Sequence, residues 1–200
     1  MSEQNPNKAE IDPDLVREDQ YKGNLDASLS EVMDADKDDS TLNTWKANLL
    51  ERAGAKADCN ITQTRIVEFK LLFKNHEPYV FDLTDPECLE RYKNEPIIIK
   101  EGARFKFQAK IEIENEVVVV GLCMVNAAYR LGVRVNKSDF NIGSFPFGVH
   151  DTTFPRKYQV FPSGFMARGT YTARCRFACD DEREWPMFEY KFTLAKNWPN

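Results

Sequence analysis

Histidine is almost missing from this chain. Only His76 and His150 occur, and each stands without an acid or a nucleophile at a recognisable spacing, so imidazole-based acid–base or triad chemistry has no support. No phosphate loop is present either: the one glycine-bounded stretch, GFMARG at 164–169, lacks the Gly-Lys-Ser/Thr that would grip a phosphate. The five cysteines, Cys59, Cys88, Cys123, Cys175 and Cys179, are odd in number and scattered. Cys175 and Cys179 lie four apart, but no second pair or histidine is near enough in sequence to complete a zinc site. Asp34, Asp36 and Asp38 imitate the start of a calcium loop without its glycine or closing glutamate. No metal, no cofactor and no enzymatic activity are therefore expected, and a binding module is the better class. Nor is there a run of about 18 apolar residues, so no membrane span is expected. The polar start, MSEQNPNKAE, does not read as a signal peptide. Free thiols and a cytosolic location follow as the simplest expectation.

Aromatic residues are scarce in one part of the chain only. Of 24 aromatics, Tyr21 and Trp45 alone fall in residues 1–60. That segment carries 14 acids against 7 bases, a net of −7, whereas residues 61–200 carry 18 acids and 20 bases. So little apolar surface cannot offset ordering entropy, and the segment reads as a flexible acidic arm. Its charge favours a basic partner and argues against nucleic acid. Leu25, Leu29 and Val32 suggest one short amphipathic helix. Leu42, Trp45 and Leu49, at i, i+3 and i+7, suggest a second, opening after the acids at 34–39, with Ser40 or an aspartate as cap and Gly54 at its end. The result is a helix–loop–helix arm over 1–60. An isolated helix this short is marginal in water, so it must dock, and a partner is the expected surface.

From Thr64 the periodicity becomes alternating. Val67, Phe69, Leu71 and Phe73 alternate with Glu68 and Lys70, and Phe105 to Ile113, Tyr171 to Phe177, and Phe188 to Leu194 alternate with polar residues. Residues 97–99 and 117–129 are apolar runs, with Gly121 placed to make a bulge. Residues 83–91 suggest one helical turn, and 133–147 reads as a loop-rich connection. About eight or nine strands with almost no helix predict an all-β sandwich over 61–200. Its aromatic inner face predicts either a plain packed core or sheets that splay into an apolar slot.

Several segments in one order, DKDDSTLNTWKANLLER, IIIKEG, AYRLGVRVNKSDFNIGSF, GFMARGTYTARCRF and FTLAKNWPN, resemble the Rho GDP-dissociation inhibitors. The resemblance runs from about residue 34 to the C-terminus. It implies an immunoglobulin-like sandwich with a flexible regulatory arm. It also implies a cytosolic protein that binds prenylated Rho/Rac-type small GTPases, mainly GDP-bound and as a 1:1 heterodimer. Such a protein slows GDP release and extracts its partner by sheltering a geranylgeranyl group, with no stable membrane insertion of its own. Position by position, the resemblance assigns the GTPase switch contacts to Asp38, Asp39, Thr41, Trp45, Asn136 and Asp181. Trp45 stands where the family more often has tyrosine, and Asn136 where it often has aspartate. The isoprenoid pocket is assigned to the inward positions Leu71, Ile97, Phe105, Val118, Met166, Ala173, Phe188 and Tyr190. Phe188 and Tyr190 replace a pair of tryptophans, and Ala173 replaces a larger aliphatic. The alternatives are a general prenyl-binding sandwich that solubilises lipidated proteins without touching the GTPase switches, and an adaptor that uses its sheet edges.

Overall fold

The computed structural model describes residues 13–16, 38–54, 61–179 and 185–199. The helix expected around Leu25, Leu29 and Val32, and with it Asp181, lies outside the described residues. Seven strands form the body: β1 (Arg65–Phe73), β2 (His76–Asp82), β3 (Ile97–Lys100), β4 (Arg104–Arg130), β5 (Val133–Val160), β6 (Gly169–Ala178) and β7 (Met187–Ala195). Helix α1 (Ser40–Gly54) precedes them, and α2 (Pro86–Asn94) joins β2 to β3. In α2, Asp85 accepts a bond from the Glu87 N–H at 2.9 Å and Pro86 opens the first turn, so the expected single turn extends to nine residues.

The strand order is β2-β1-β4-β6-β7-β3, with β5 also paired to β4. All pairs are antiparallel except β3 with β7, and α2 carries the chain from β2 at one end of this order to β3 at the other. β4 organises the sandwich. Its first half pairs with β1, its second half with β6, and β5 follows it along nearly its whole length. The register slips between Ile113 and Val118 and again between Val119 and Leu122, where Gly121 has φ +66°. Those bulges fold the long hairpin across itself, so one hairpin contributes to both layers. Seven strands replace the expected eight or nine because 105–113 and 117–129 are one continuous strand. Likewise 133–147 is strand rather than loop, its one glycine, Gly143, pairing with Leu122 of β4.

The core is one cluster of aromatic and aliphatic side chains between the layers. Tyr171, Ala173, Cys175 and Phe177 of β6, and Phe188, Tyr190, Phe192 and Leu194 of β7, are all buried, as their alternation requires. On β1 the slip between Ile66 and Glu68 places Ile66 in the core in place of Val67. Ring pairs run across the gap, Phe69 to Phe188 at 5.1 Å and Phe81 to Tyr190 at 4.9 Å between centroids. Each fully buried ring contributes about 1.5–3 kcal/mol, which makes this layer the main source of stability.

Candidate functional site

Helix α1 begins with a side-chain cap. Asp39 Oδ1 accepts the N–H groups of Thr41 at 2.8 Å and Leu42 at 3.0 Å. Asp38, Asp39 and Thr41 are exposed at this end of the helix. Helix α1 rests on the chain itself, against β5. Trp45 and Asn48 form one wall of a groove of about 460 Å³, whose other wall includes Gly121, Asn141, Gly143 and Phe145. The apolar stripe does not point straight at the body. Trp45 stays 38% exposed at the groove's rim, while Lys46 is 2% exposed and Leu42 half-buried. A lysine can face the sheet in this way because its four-carbon stem packs as an apolar chain.

Of the pocket positions, Leu71, Ile97, Ala173, Phe188 and Tyr190 meet in the one inner cluster, and Phe105 packs against its edge. Ala173 and Tyr190 are direct cross-strand partners. Burial alone pushes the Cys175 thiol up, and it pushes the Tyr190 phenol well up, so both stay protonated and the layer carries no charge. Two positions depart from the expectation. Val118 is half-buried, since the bulges on either side of it put Val119 inward instead. Met166 does not face inward at all: it is 81% exposed.

Met166 belongs to a different feature. Residues 164–168 form a tight turn in which Arg130 donates to the carbonyls of Met166 at 2.6 Å and Arg168 at 2.8 Å. The Tyr171 hydroxyl donates to Ala167 O at 2.6 Å. Gly169 adopts φ +136°, and a Cβ there would stand 3.0 Å from Arg130 Nη2, so only glycine lets the arginine reach in. The turn is thus fixed from three sides while Phe165 and Met166 project outward, each 81% exposed. Across a groove of about 550 Å³ stand Leu131, Val133 and Val135 of the β4–β5 hairpin tip. Leu131 is 96% exposed and sits at φ +51°, a left-handed conformation that a leucine adopts at a cost. Glu101 just before β4 and Arg130 at its end both bind this turn, so the groove marks the end of the sandwich where the two ends of β4 meet. Sequence reasoning missed Leu131, Val133, Val135 and Phe165. The one available signal was an apolar residue beside Gly132 in a two-residue turn, where a polar residue is usual.

The family model for RHO protein GDP dissociation inhibitor matches residues 5–197. The chain belongs to the Rho GDP-dissociation inhibitor family. It is 30% identical over 179 residues to Rho GDP-dissociation inhibitor 1 of Homo sapiens, covering 89% of this chain and 86% of that one. To the putative rho GDP-dissociation inhibitor 1 of Dictyostelium discoideum it is 29% identical, covering 86% and 88%. To the Rho GDP-dissociation inhibitor of Schizosaccharomyces pombe it is 31% identical, covering 86% and 83%. Membership places this Rho GDP-dissociation inhibitor homologue among regulators of Rho GTPases. Among the described residues no cluster of His, Cys, Asp or Glu is arranged to hold a metal, and no helix is long and apolar enough to cross a membrane.

Proposed function

We propose that the chain binds prenylated Rho-type GTPases, mainly GDP-bound and one to one. In this reading it slows their GDP release and draws them from membranes into the cytosol by taking up the geranylgeranyl group. It does so as a regulator and not as an enzyme, with residues 1–60 acting as the arm and 61–200 as the lipid-holding sandwich. The family assignment carries the reading. Two features of the molecule support it: an uncharged inner layer bounded by Leu71, Ala173, Phe188 and Tyr190, and the rigid apolar lip of Phe165, Met166 and Leu131 at one end of the sandwich. The lip serves as the mouth through which the isoprenoid passes between the sheets, with Met166 contacting lipid there rather than in the depth of the slot. Since ring pairs span the inner layer in the free chain, the lipid displaces rings as it enters.

Hydrophobicity alone cannot accomplish extraction. Burial contributes about 0.8 kcal/mol per CH₂, and the bilayer offers much the same. The arm supplies the second contact: Asp38, Asp39, Thr41 and Trp45, with Asn136 and Asp181 on the sandwich, engage the GTPase switch loops. Tethering the two sites raises their effective concentration, and ordering the switches slows nucleotide exit. The acids of the arm also offset the basic tail that commonly precedes a prenylated cysteine, so affinity falls as salt rises. The test is GDP release and vesicle extraction with prenylated and unprenylated Rho-type GTPases. Slowed release and prenyl-dependent extraction are expected, and equal binding of the two forms overturns the proposal. A general prenyl-binding sandwich is the rival; it keeps full affinity when residues 1–60 are deleted, whereas this reading requires a large loss.

A further inference from the structure

Residues Pro13–Leu15 form a 3-10 turn that packs on β4 and β6 in a small cluster of its own, separate from the inner core. Three residues have no intrinsic tendency to hold a helical turn, so the surface beneath must impose it. That surface reads the segment at four points. Leu15 is 0% exposed and lies on Val125 and Ala127, beside Tyr129. The carboxylate of Asp14 takes the Tyr129 hydroxyl at 2.8 Å on one oxygen and the Arg134 guanidinium on the other. Two main-chain carbonyls are also held: Arg176 donates to Leu15 O at 3.3 Å and Lys137 to Val16 O at 2.9 Å. An apolar floor ringed by three cations and a phenol thus faces one acid, one leucine and two carbonyl oxygens. The inner layer and the apolar lip share none of these residues.

We propose that this surface is a peptide-docking groove selective for an Asp–Leu turn, and that its resident occupant is the chain's own Asp14–Leu15. Leucine supplies the depth of the contact, and the aspartate fixes its direction, because Tyr129 and Arg134 grip different oxygens of one carboxylate. The carbonyl contacts are indifferent to side-chain identity, so selectivity rests on those two residues. The groove pins the start of the arm to the sandwich. Residues 17–37 are then bounded at both ends, by the groove and by α1, and a partner presenting the same acid–leucine pair competes for the same place. None of this depends on lipid or GTPase binding.

A synthetic peptide of residues 9–20 tests it on the full-length chain. In the double variant Asp14→Asn/Leu15→Ala the groove is vacated, and the peptide is expected to bind there and shift the amide signals of Val125, Ala127 and Tyr129. The unaltered chain, whose own segment competes, is expected to bind the peptide about tenfold or more weakly. Arg134→Gln added to the double variant, or Asp14→Asn in the peptide, is expected to weaken binding about tenfold. Unchanged thermal melting of the variants keeps a folding defect apart from a docking defect. The proposal is overturned if the peptide binds all these chains equally. It is also overturned if the peptide leaves those signals unmoved at about 1 mM.

Discussion

Arg168 grips Glu101 with two prongs, Nη2 to Oε1 at 2.7 Å and Nε to Oε2 at 3.0 Å, and the second oxygen also accepts the Gly164 N–H at 2.8 Å. The pair ties the turn carrying Phe165 and Met166 to the residues that lead into β4. It makes the exposure of those two side chains a fixed property of the fold.

The Glu101 contact has a pH signature. The hydrogen bond from Arg168, then that from Gly164, holds the Glu101 carboxyl below the usual carboxylate range. A depressed carboxyl stabilises the fold when ionised. Its contribution is therefore complete above the unfolded value of about 4.3 and is lost as pH falls below it toward the lower folded value. Urea melts of the native chain should lose more stability between about pH 5 and pH 3 than melts of Glu101→Gln do, and parallel loss in the two would contradict the assignment.

Leu131 predicts an exchange of stability against function. Its φ of +51° is one that asparagine tolerates better, and almost none of its side chain is buried. Leu131→Asn should leave stability unchanged or raise it by up to about 1 kcal/mol. Extraction of a prenylated GTPase from vesicles should fall at the same time, and if extraction is undiminished the hairpin tip is no part of the mouth.

Asp39 caps α1 and is also proposed to meet the partner, and two variants separate the roles. Asp39→Ala removes the bonds to Thr41 and Leu42 and should cost the helix about 1 kcal/mol, seen as lost helical circular dichroism. Asp39→Ser keeps a cap and should restore the helix. Inhibition of GDP release should remain impaired in both, because serine does not replace the charge; full recovery in Asp39→Ser would reduce the residue to a cap.

Ala173 is nearly sealed beside its cross-strand partner Tyr190, so added volume must displace its neighbours. Ala173→Leu should cost about 1–3 kcal/mol by overpacking. It should also lower affinity for a prenylated GTPase about tenfold while sparing the unprenylated form, by calorimetry. A loss equal for both forms would indicate general damage rather than a blocked slot.

Thiol labelling offers a check on the core. Cys175 is fully buried with its thiol pushed up by that burial, and Cys123 is buried too, whereas Cys88 and Cys179 are half-buried. Among these four, alkylation near neutral pH should reach Cys88 and Cys179 before Cys123 and Cys175, which should react only on unfolding. Early modification of Cys175 would mean that the layers open in the free chain.

The inner faces of β6 and β7 could be read from the sequence because strict alternation, Tyr171 to Phe177 and Phe188 to Leu194, states which side chains share a face whatever the strand pairs with. The Asp39 cap, the Gly121 bulge and the family motifs were equally local and equally legible. What alternation cannot state is where a strand goes. Residues 133–147 read as loop because Gly143 and Pro146 break the pattern, yet pairing with β4 makes them strand. Met166 was placed inward by the family resemblance, but Arg130 and Glu101, distant along the chain, hold its turn so that it projects outward. Nor could the stripe Leu42, Trp45 and Leu49 show that α1 rests on β5 with Lys46 turned inward and Trp45 left 38% exposed. The docking of Asp14–Leu15 is also invisible in sequence, since its four-sided grip is gathered from β4, β5 and β6. Local pattern determines faces, because side-chain direction follows from the backbone of one strand. The folding of one long hairpin across itself decided which faces and ends meet, because that depends on pairing between residues far apart in the chain, as Arg104 with Val160.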